Sequence, residues 1–213
     1  MFRLLLCLSV PVCAAELIQA DFTTGLIPHP VPYAVLAPDG YKDGSPLPLL
    51  IYLHGGGSDH AALARIQNLI EAEWKSGRVP KMVIATPSVS QRCFYMDYKD
   101  GTEKWETMIL GPFRDHLQKT YNASADPKMN LMMGASMGGE GTLRMGLKYP
   151  EKFGAIVAQE PERLEVRGGI GQRLDDERLP AVVARLRRCE RNVVAVVHPR
   201  EEWLRGSREL GDD

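Results

Sequence analysis

Residues 128–149 read KMNLMMGASMGGEGTLRMGLKY, and this stretch decides the fold that we predict. Its first six residues are an apolar run of strand length, and residues 140–149 have the amphipathic pattern of a helix that stops before Pro150. Between them, residues 134–138 have the form Gly-x-Ser-x-Gly with Ser136 at the centre. A serine on a sharp turn between a strand and a helix is the arrangement of a nucleophile elbow. The glycines let strand and helix pass closely, and the helix N-terminus directs free N–H groups toward the serine.

A second glycine-rich stretch, His54-Gly55-Gly56-Gly57, directly follows the apolar run PLPLLIYL at residues 46–53. A continuous apolar run of this kind suits a parallel strand that is buried on both faces. Glycines after such a strand let backbone N–H groups approach a substrate carbonyl oxygen, as an oxyanion loop requires. Taken alone, an ordinary β–α loop explains the pattern equally well, but the elbow about 80 residues later favours an oxyanion loop. We therefore predict Ser136 as a nucleophile and the N–H groups of Gly55, Gly56 and Met137 as oxyanion donors.

The rest of the pattern up to residue 158 alternates strands with helices. We predict strands at 31–37, 82–86 and 153–158 and helices at 61–76 and 103–120, with residues 16–30 as a first strand or an arm. The first helix should bury one stripe formed by Leu63, Ile66, Leu69, Ile70 and Trp74. In the long loop 87–101, the side chains of residues 93–98 either line a pocket or pack the loop onto the core. Strands that alternate with helices predict an α/β fold with a mostly parallel central sheet.

Residues 31–158 resemble the esterase branch of the α/β-hydrolase superfamily, which includes enterochelin esterases, esterase D-like enzymes and feruloyl esterases. The resemblance rests on YLHGGG at 52–57, FYMDY at 94–98, YN at 121–122 and GASMGGEGTLRMGLKYPEKFGAIVAQEP at 134–161. It implies an α/β-hydrolase three-layer sandwich and a serine esterase that hydrolyses carboxylic esters without a metal or organic cofactor. The implied substrate is a small-molecule or polysaccharide-linked ester, and feruloyl, acetyl and siderophore esters all remain open.

The composition changes abruptly near Pro161. Residues 161–213 contain eleven arginines but no Lys, Met, Tyr or Phe, so we treat them as a divergent Arg-rich C-terminal segment after a hydrolase core at 16–160. Within this segment we predict a helix at 179–191 and an apolar strand at 192–197. The pattern lacks the last strand or strands of the family's sheet.

The family's triad order is serine, acid, histidine, and His198 is the only histidine after Ser136. A triad of that order must therefore use His198 as the base, with Asp175, Asp176 or Glu177 as candidate acids. An alternative interpretation is a truncated or frame-shifted hydrolase-like protein that is catalytically impaired or inactive, and that is either a binding module or non-functional.

The N-terminus has the features of a signal peptide. Met1-Phe2-Arg3 supplies a positive start, residues 4–12 are largely apolar, and Cys13-Ala14-Ala15 ends in small residues suited to cleavage. We therefore expect residues 1–15 to be removed and the protein to be secreted or periplasmic. Removal would leave Cys93 and Cys189, which either pair or stay as free buried thiols.

Charge and spacing argue against other partners. A formal net charge of −1 gives no basic excess for nucleic acid, and no apolar run is long enough for a membrane span. His54, Asp59 and His60 lie close in sequence, but their spacing suggests no complete metal-ligand set.

Overall fold

The computed structural model describes residues 15–159, together with the backbone of three short strands at 188–189, 192–193 and 195–197. The described strands are β1 (Glu16–Thr24), β2 (Ile27–Ala37), β3 (Leu49–Leu53), β4 (Val83–Pro87), β5 (Asn130–Ala135), β6 (Ala155–Gln159), β7 (Arg188–Cys189), β8 (Asn192–Val193) and β9 (Ala195–Val197). Seven of them form one sheet in the order β1-β2-β4-β3-β5-β6-β9, and β7 pairs with β8.

The centre of the large sheet is parallel. β3 lies between β4 and β5 and runs parallel to both, and β5 runs parallel to β6. Leu49, Ile51 and Leu53 of β3 are fully or almost fully buried, as the apolar run predicted. The predicted α/β class with a mostly parallel sheet is therefore confirmed. The carboxyl ends of β3, β4 and β5 meet at one edge of the sheet, where ligands bind in open α/β folds.

The helices are α1 (Ala62–Ser76), α2 (Trp105–Met108), α3 (Arg114–Thr120) and α4 (Met137–Lys148). α1 matches the predicted bounds to within one residue and ends at Gly77, whose φ of +75° favours glycine. Its buried stripe is narrower than predicted. Leu63 and Trp74 are buried, whereas Leu69 is 60% exposed. The prediction for Leu69 was wrong because it lies on the flank of the stripe that the sheet does not cover.

The single helix predicted at 103–120 is interrupted. It begins at Trp105, and residues 109–113 form one π-helical turn in which Gly111 leaves helical geometry with φ −117° and ψ −105°. Pro112 explains the break, because proline has no N–H and its ring clashes with the preceding helical turn. α3 then continues from Arg114.

Residues 16–37 form an antiparallel hairpin rather than an arm followed by a strand. β1 pairs with β2 from Glu16 opposite Ala37 to Phe22 opposite Val31. Aromatic rings pack the hairpin onto α3, with Tyr33 perpendicular to the rings of Phe113 and His116. The Tyr33 hydroxyl also hydrogen-bonds to His116 Nε2 at 2.8 Å and to the Tyr121 hydroxyl at 2.9 Å.

The C-terminal strands differ from the single strand predicted at 192–197. β8 pairs with β7, so residues 188–189 are strand where a helix was predicted. β9 pairs with β6 and runs antiparallel to it, with Val197 opposite Ile156 and Ala195 opposite Ala158. The chain in β9 therefore runs toward the amino end of β6.

Candidate active site

Ser136 occupies the turn between β5 and α4, as the sequence predicted for a nucleophile elbow. Its φ of +51° and ψ of −119° lie in a region that non-glycine residues rarely adopt. Two hydrogen bonds hold this backbone in place. The Ser136 N–H donates to the Gln159 carbonyl at 2.9 Å, and the Ser136 carbonyl accepts from the Glu140 N–H at 3.0 Å. A strained backbone that its surroundings hold in place is typical of catalytic residues.

Two glycines let α4 pass close to the sheet beside Ser136. A Cβ on Gly138 would lie 1.9 Å from the Leu53 carbonyl oxygen, and one on Gly139 would lie 2.7 Å from the Gln159 carbonyl oxygen. Both neighbours are backbone atoms of strands, which cannot move aside cheaply. The glycines of the motif therefore fix the position of the helix N-terminus relative to β3 and β6.

The predicted oxyanion loop lies directly beside the serine. A Cβ on Gly55 would lie 3.5 Å from Ser136 Cβ and 3.3 Å from the Ala135 carbonyl oxygen. Within residues 15–159, neither the Gly55 nor the Gly56 N–H has a protein acceptor. Met137, whose N–H is the third predicted donor, is the first residue of α4 and is buried. The loop and the helix N-terminus therefore bring backbone donors to the side of the Ser136 hydroxyl.

His54 is a structural residue of the oxyanion loop. Its Nδ1 hydrogen-bonds to the Gly55 carbonyl at 2.9 Å, and its Nε2 accepts from the Val89 N–H at 3.4 Å. This pattern fits a neutral ring with the proton on Nδ1. The pKa of His54 is lowered, and burial is the largest cause. The hydrogen bond to the Gly55 carbonyl acts in the opposite direction but does not outweigh burial. His54 therefore supports the loop and has no ring nitrogen left to serve Ser136 as a base.

His60 and Asp59 also have local partners. His60 Nδ1 hydrogen-bonds to the Ser88 hydroxyl at 2.7 Å, and Asp59 accepts from the Ala61 N–H at 2.9 Å. Among the residues that the structure describes, no group of three His, Cys, Asp or Glu side chains is arranged to hold a metal ion.

None of the described helices is long and apolar enough to cross a membrane.

The loop after β4 is held down by two of its residues. Cys93 and Tyr95 are completely buried, which favours the packing interpretation for both, whereas Met96 is 39% exposed. The Cys93 thiol is free and accepts from the Tyr95 N–H at 3.2 Å, and burial raises its pKa to about 11. Such a thiol is protonated at neutral pH and is a poor nucleophile.

Sequence reasoning missed an ionic cluster formed by Glu106, Arg144, Lys148 and Tyr149. The Glu106 carboxylate accepts from Arg144 Nε at 3.1 Å, Lys148 Nζ at 2.7 Å and the Tyr149 hydroxyl at 3.1 Å. Burial by itself raises the pKa of Glu106, but the hydrogen bonds and charges of Lys148 and Arg144 outweigh burial and lower it. The i, i+4 spacing of Arg144 and Lys148 on α4 was the only feature of the sequence that indicated a shared partner for these two cations. It did not reveal the acid, which lies about 40 residues earlier in the chain.

The candidate base and acids of a triad lie outside the residues that the structure describes. His198, Asp175, Asp176 and Glu177 all fall outside the described residues, and no histidine within 15–159 hydrogen-bonds to the Ser136 side chain. Val197, the residue before His198, pairs with Ile156 near the amino end of β6, whereas Ser136 is bonded to Gln159 at its carboxyl end. The assignment of His198 as a base therefore stays a prediction.

The sheet order, the elbow and the glycine loop beside it define an α/β hydrolase. The chain belongs to the family described as Putative esterase, whose sequence profile matches residues 25–176. No curated protein sequence matches the chain.

Solved structures share the fold at low sequence identity. A ferulic acid esterase is 21% identical in sequence and superposes with a TM-score of 0.61. The match covers 66% of this chain and 56% of the esterase chain. The fluorophosphonate-binding serine hydrolase FphF of Staphylococcus aureus is 23% identical with a TM-score of 0.57, covering 66% of this chain and 55% of its own. A ferulic acid esterase from Anaeromyces mucronatus, solved in complex with ferulic acid, is 20% identical with a TM-score of 0.55, covering 70% of this chain and 59% of its own. The chain thus spans less than two thirds of the length of each.

Proposed function

We propose that this protein is a serine esterase whose nucleophile is Ser136. The observation that carries the proposal is the strained backbone of Ser136 at the start of α4, with Gly55 against its side chain. A serine in that position has backbone N–H donors where the negative charge of a tetrahedral intermediate develops. Family membership and the serine hydrolases and esterases among the structural neighbours support this reaction class.

In the proposed reaction, Ser136 Oγ attacks the ester carbonyl carbon and passes its proton to a base. The carbonyl oxygen becomes an oxyanion that accepts hydrogen bonds from Met137 N–H and from Gly55 or Gly56 N–H. When the carbonyl re-forms, the alcohol leaves with that proton and an acyl group remains on Ser136. A water molecule then gives a proton to the base and attacks the acyl carbon. The bond from this carbon to Ser136 Oγ breaks, the acid is released, and the base passes the proton from water to Ser136 Oγ. No residue in this scheme calls for a metal or an organic cofactor.

The first experiment measures hydrolysis of p-nitrophenyl acetate by the parent and by Ser136→Ala. If the parent hydrolyses this ester with a working base, we expect kcat to fall by ~10³-fold or more, because binding alone cannot replace a nucleophile. A parent without a base should lose much less, since its nucleophile is already inactive. Ser76→Ala is the matched control, since this exposed serine at the end of α1 hydrogen-bonds only to nearby backbone. A fluorophosphonate probe should label the parent on Ser136. A protein that neither labels nor hydrolyses esters would instead be the inactive hydrolase-like alternative.

The base is tested by His198→Ala. Because the composition changes near Pro161 and the sequence pattern lacks the family's last strand, we expect the parent to be a weak esterase and His198→Ala to match it. The oxyanion donors and substrate binding alone retain roughly 10³–10⁴-fold catalysis over water in enzymes that lack a triad member. A fast parent whose His198→Ala variant drops to the level of Ser136→Ala would instead establish His198 as the base.

The substrate and location are further parts of the proposal. The Anaeromyces mucronatus esterase was solved with ferulic acid, and a feruloyl esterase module from Clostridium thermocellum was solved with sinapinate. Hydroxycinnamoyl esters are therefore the first substrates to test beside acetyl esters. The signal-like residues 1–15 support export to the periplasm or medium, where polysaccharide-linked esters are accessible.

A further inference from the structure

Tyr95 connects the loop after β4 to the predicted oxyanion loop. Its ring is completely buried, and its hydroxyl donates to the His54 carbonyl at 2.7 Å. The ring also stands edge-on to the His54 imidazole, with the centroids 5.9 Å apart. Gly141 of α4 leaves room for it, because a Cβ there would lie 3.0–3.2 Å from three Tyr95 side-chain atoms.

The hydroxyl of Tyr95 sets the direction of a candidate oxyanion donor. Because a peptide bond is planar and trans, the carbonyl of one residue and the N–H of the next point in opposite directions. The Tyr95 bond to the His54 carbonyl therefore fixes the Gly55 N–H. In the same way, the His54 ring and the Ser58 N–H hold the Gly55 carbonyl at 2.9 and 3.2 Å, and thereby fix the Gly56 N–H. Glycine residues have the least intrinsic stiffness, so these external bonds decide the orientation of both amides.

Tyr95 is itself held in an unfavourable backbone conformation. Phe94 and Tyr95 have φ values of +49° and +58°, which bulky residues seldom adopt. The guanidinium of Arg144 donates from Nη1 to the Phe94 carbonyl at 2.9 Å and from Nη2 to the Tyr95 carbonyl at 2.7 Å. Glu106 orients that guanidinium through Nε. Arg144 of α4 therefore hydrogen-bonds to the carbonyls of both strained residues through two guanidinium nitrogens. A lysine ammonium group cannot donate to both in this planar, two-pronged geometry.

We propose that Tyr95, held by Arg144 and Glu106, is a positioning residue that orients the Gly55 N–H for oxyanion binding. This inference rests on the proposed esterase function, but its structural part does not. The hydrogen-bonded chain Glu106–Arg144–Tyr95–His54–Gly55 joins α4 to the predicted oxyanion loop. It thereby ties the two sources of oxyanion donors to one another.

The test compares Tyr95→Phe with Tyr33→Phe. Both substitutions remove a buried, hydrogen-bonded tyrosine hydroxyl, but Tyr33 belongs to the aromatic cluster of β2 and α3 and contacts neither glycine loop. We expect Tyr95→Phe to shift the amide NMR signals of Gly55 and Gly56 and to lower kcat roughly 10-fold. This is less than the 10²–10³-fold loss on deleting an oxyanion donor outright, because the N–H is misaligned rather than removed. KM should change by less than about twofold, since the donor acts mainly in the transition state. Tyr33→Phe should lower Tm and leave those signals and kcat unchanged.

The outcomes separate the inference from the proposed function. If the Gly55 and Gly56 signals of Tyr95→Phe match those of the parent, the inference is overturned whatever the activity. If the signals move while kcat and the rate of fluorophosphonate labelling stay at the parent level, positioning for catalysis is also overturned. If the signals move but the parent neither labels nor hydrolyses esters, the esterase proposal fails and only the structural link remains. Arg144→Lys should shift the same two signals in the same direction, and Arg78→Lys, in an exposed pair with Glu73, should not.

Discussion

Gly138 shows how a single residue sets the geometry of the site. Its missing side chain is the reason that α4 can approach β3, because a Cβ would lie 1.9 Å from the Leu53 carbonyl oxygen. The clash is with backbone of a central strand, so relief requires moving the helix and Ser136 with it.

We therefore expect Gly138→Ala to lower the free energy of unfolding by about 3 kcal/mol or more, at the upper end of what overpacking costs. Urea denaturation measures it, and Gly25→Ala is the control because nothing lies within 4 Å of a Cβ at that position. Equal midpoints for the two variants would show that α4 is free to move away from β3.

His54 gives the stability a pH dependence whose sign follows from its burial. Burial lowers the pKa of His54, and also that of His116, below the value of about 6.5 that histidine has in an unfolded chain. The unfolded state therefore binds more protons than the folded state once the pH falls toward and below about 6.5. Both groups contribute stability that is fully present above that pH and is lost as the pH falls toward their folded pKa values.

The measurement is urea denaturation between about pH 7.5 and pH 5. This range lies above the pKa of Glu106, so the Glu106 carboxylate stays charged in the folded protein. We expect the free energy of unfolding to decrease steadily on acidification, and the NMR signals of the His54 ring to titrate with a midpoint below about 6.5. A His54 midpoint at or above that value would mean that the ring is charged in the loop, contrary to its hydrogen bonds.

At the scale of elements, the ionic cluster joins α2 to α4 and secures the loop between β4 and α2. Glu106 is buried and satisfies three donors, two of them cationic. Removing one partner of a buried ion pair leaves the others uncompensated, which is strongly destabilising.

We expect Glu106→Gln to lower the free energy of unfolding by roughly 2 kcal/mol, because hydrogen bonds to charged groups contribute about 1.5–3 kcal/mol and the Lys148 side chain is 46% exposed. Glu73→Gln is the matched control, because Glu73 forms a bidentate pair with Arg78 at the exposed end of α1. Exposed pairs of this kind contribute little, so the control should unfold as the parent does. Similar losses in both variants would mean that burial does not distinguish the two pairs.

For the molecule as a whole, the predicted cleavage site lies directly before β1, whose first residue is Glu16. β1 starts at Glu16, which pairs with Ala37, and every β1 residue that pairs with β2 lies at position 16 or later. A chain that starts at Glu16 therefore keeps all the residues of these pairs.

We therefore expect exported protein to begin at Glu16 or one residue earlier and to keep the parent Tm. N-terminal sequencing of material from the periplasm or medium checks the first point, and thermal unfolding of a chain that starts at Glu16 checks the second. Exported protein that still begins at Met1 would contradict the signal peptide.

The parallel centre of the sheet, α1 with its Gly77 cap, and the turn that carries Ser136 could all be predicted from the amino-acid sequence. These features depend on local signals: a continuous apolar run, helical periodicity, and glycines where side chains do not fit. The helix break at Pro112 could also have been predicted, because proline disfavours a helix interior. The helical periodicity on either side of Pro112 nevertheless led to the prediction of a single helix. The exposure of Leu69 could not be predicted from the sequence, because it depends on how much of α1 the sheet covers.

The contacts that support the candidate site could not be predicted from the sequence, because they form between elements that only folding brings together. Arg144 lies 38 residues after Glu106 and 49 after Tyr95 in the sequence, and it joins them through hydrogen bonds. Their roles therefore depend on contacts between a strained loop, an interrupted helix and α4. The same holds for His54, which the sequence placed beside the oxyanion glycines without showing that both its ring nitrogens are occupied. The direction of β9 is likewise a tertiary property, since an apolar run predicts a strand but not the sense in which it pairs with β6. Periodicity reports which face of an element is buried, whereas the partners across the fold are chosen by packing and hydrogen-bond satisfaction.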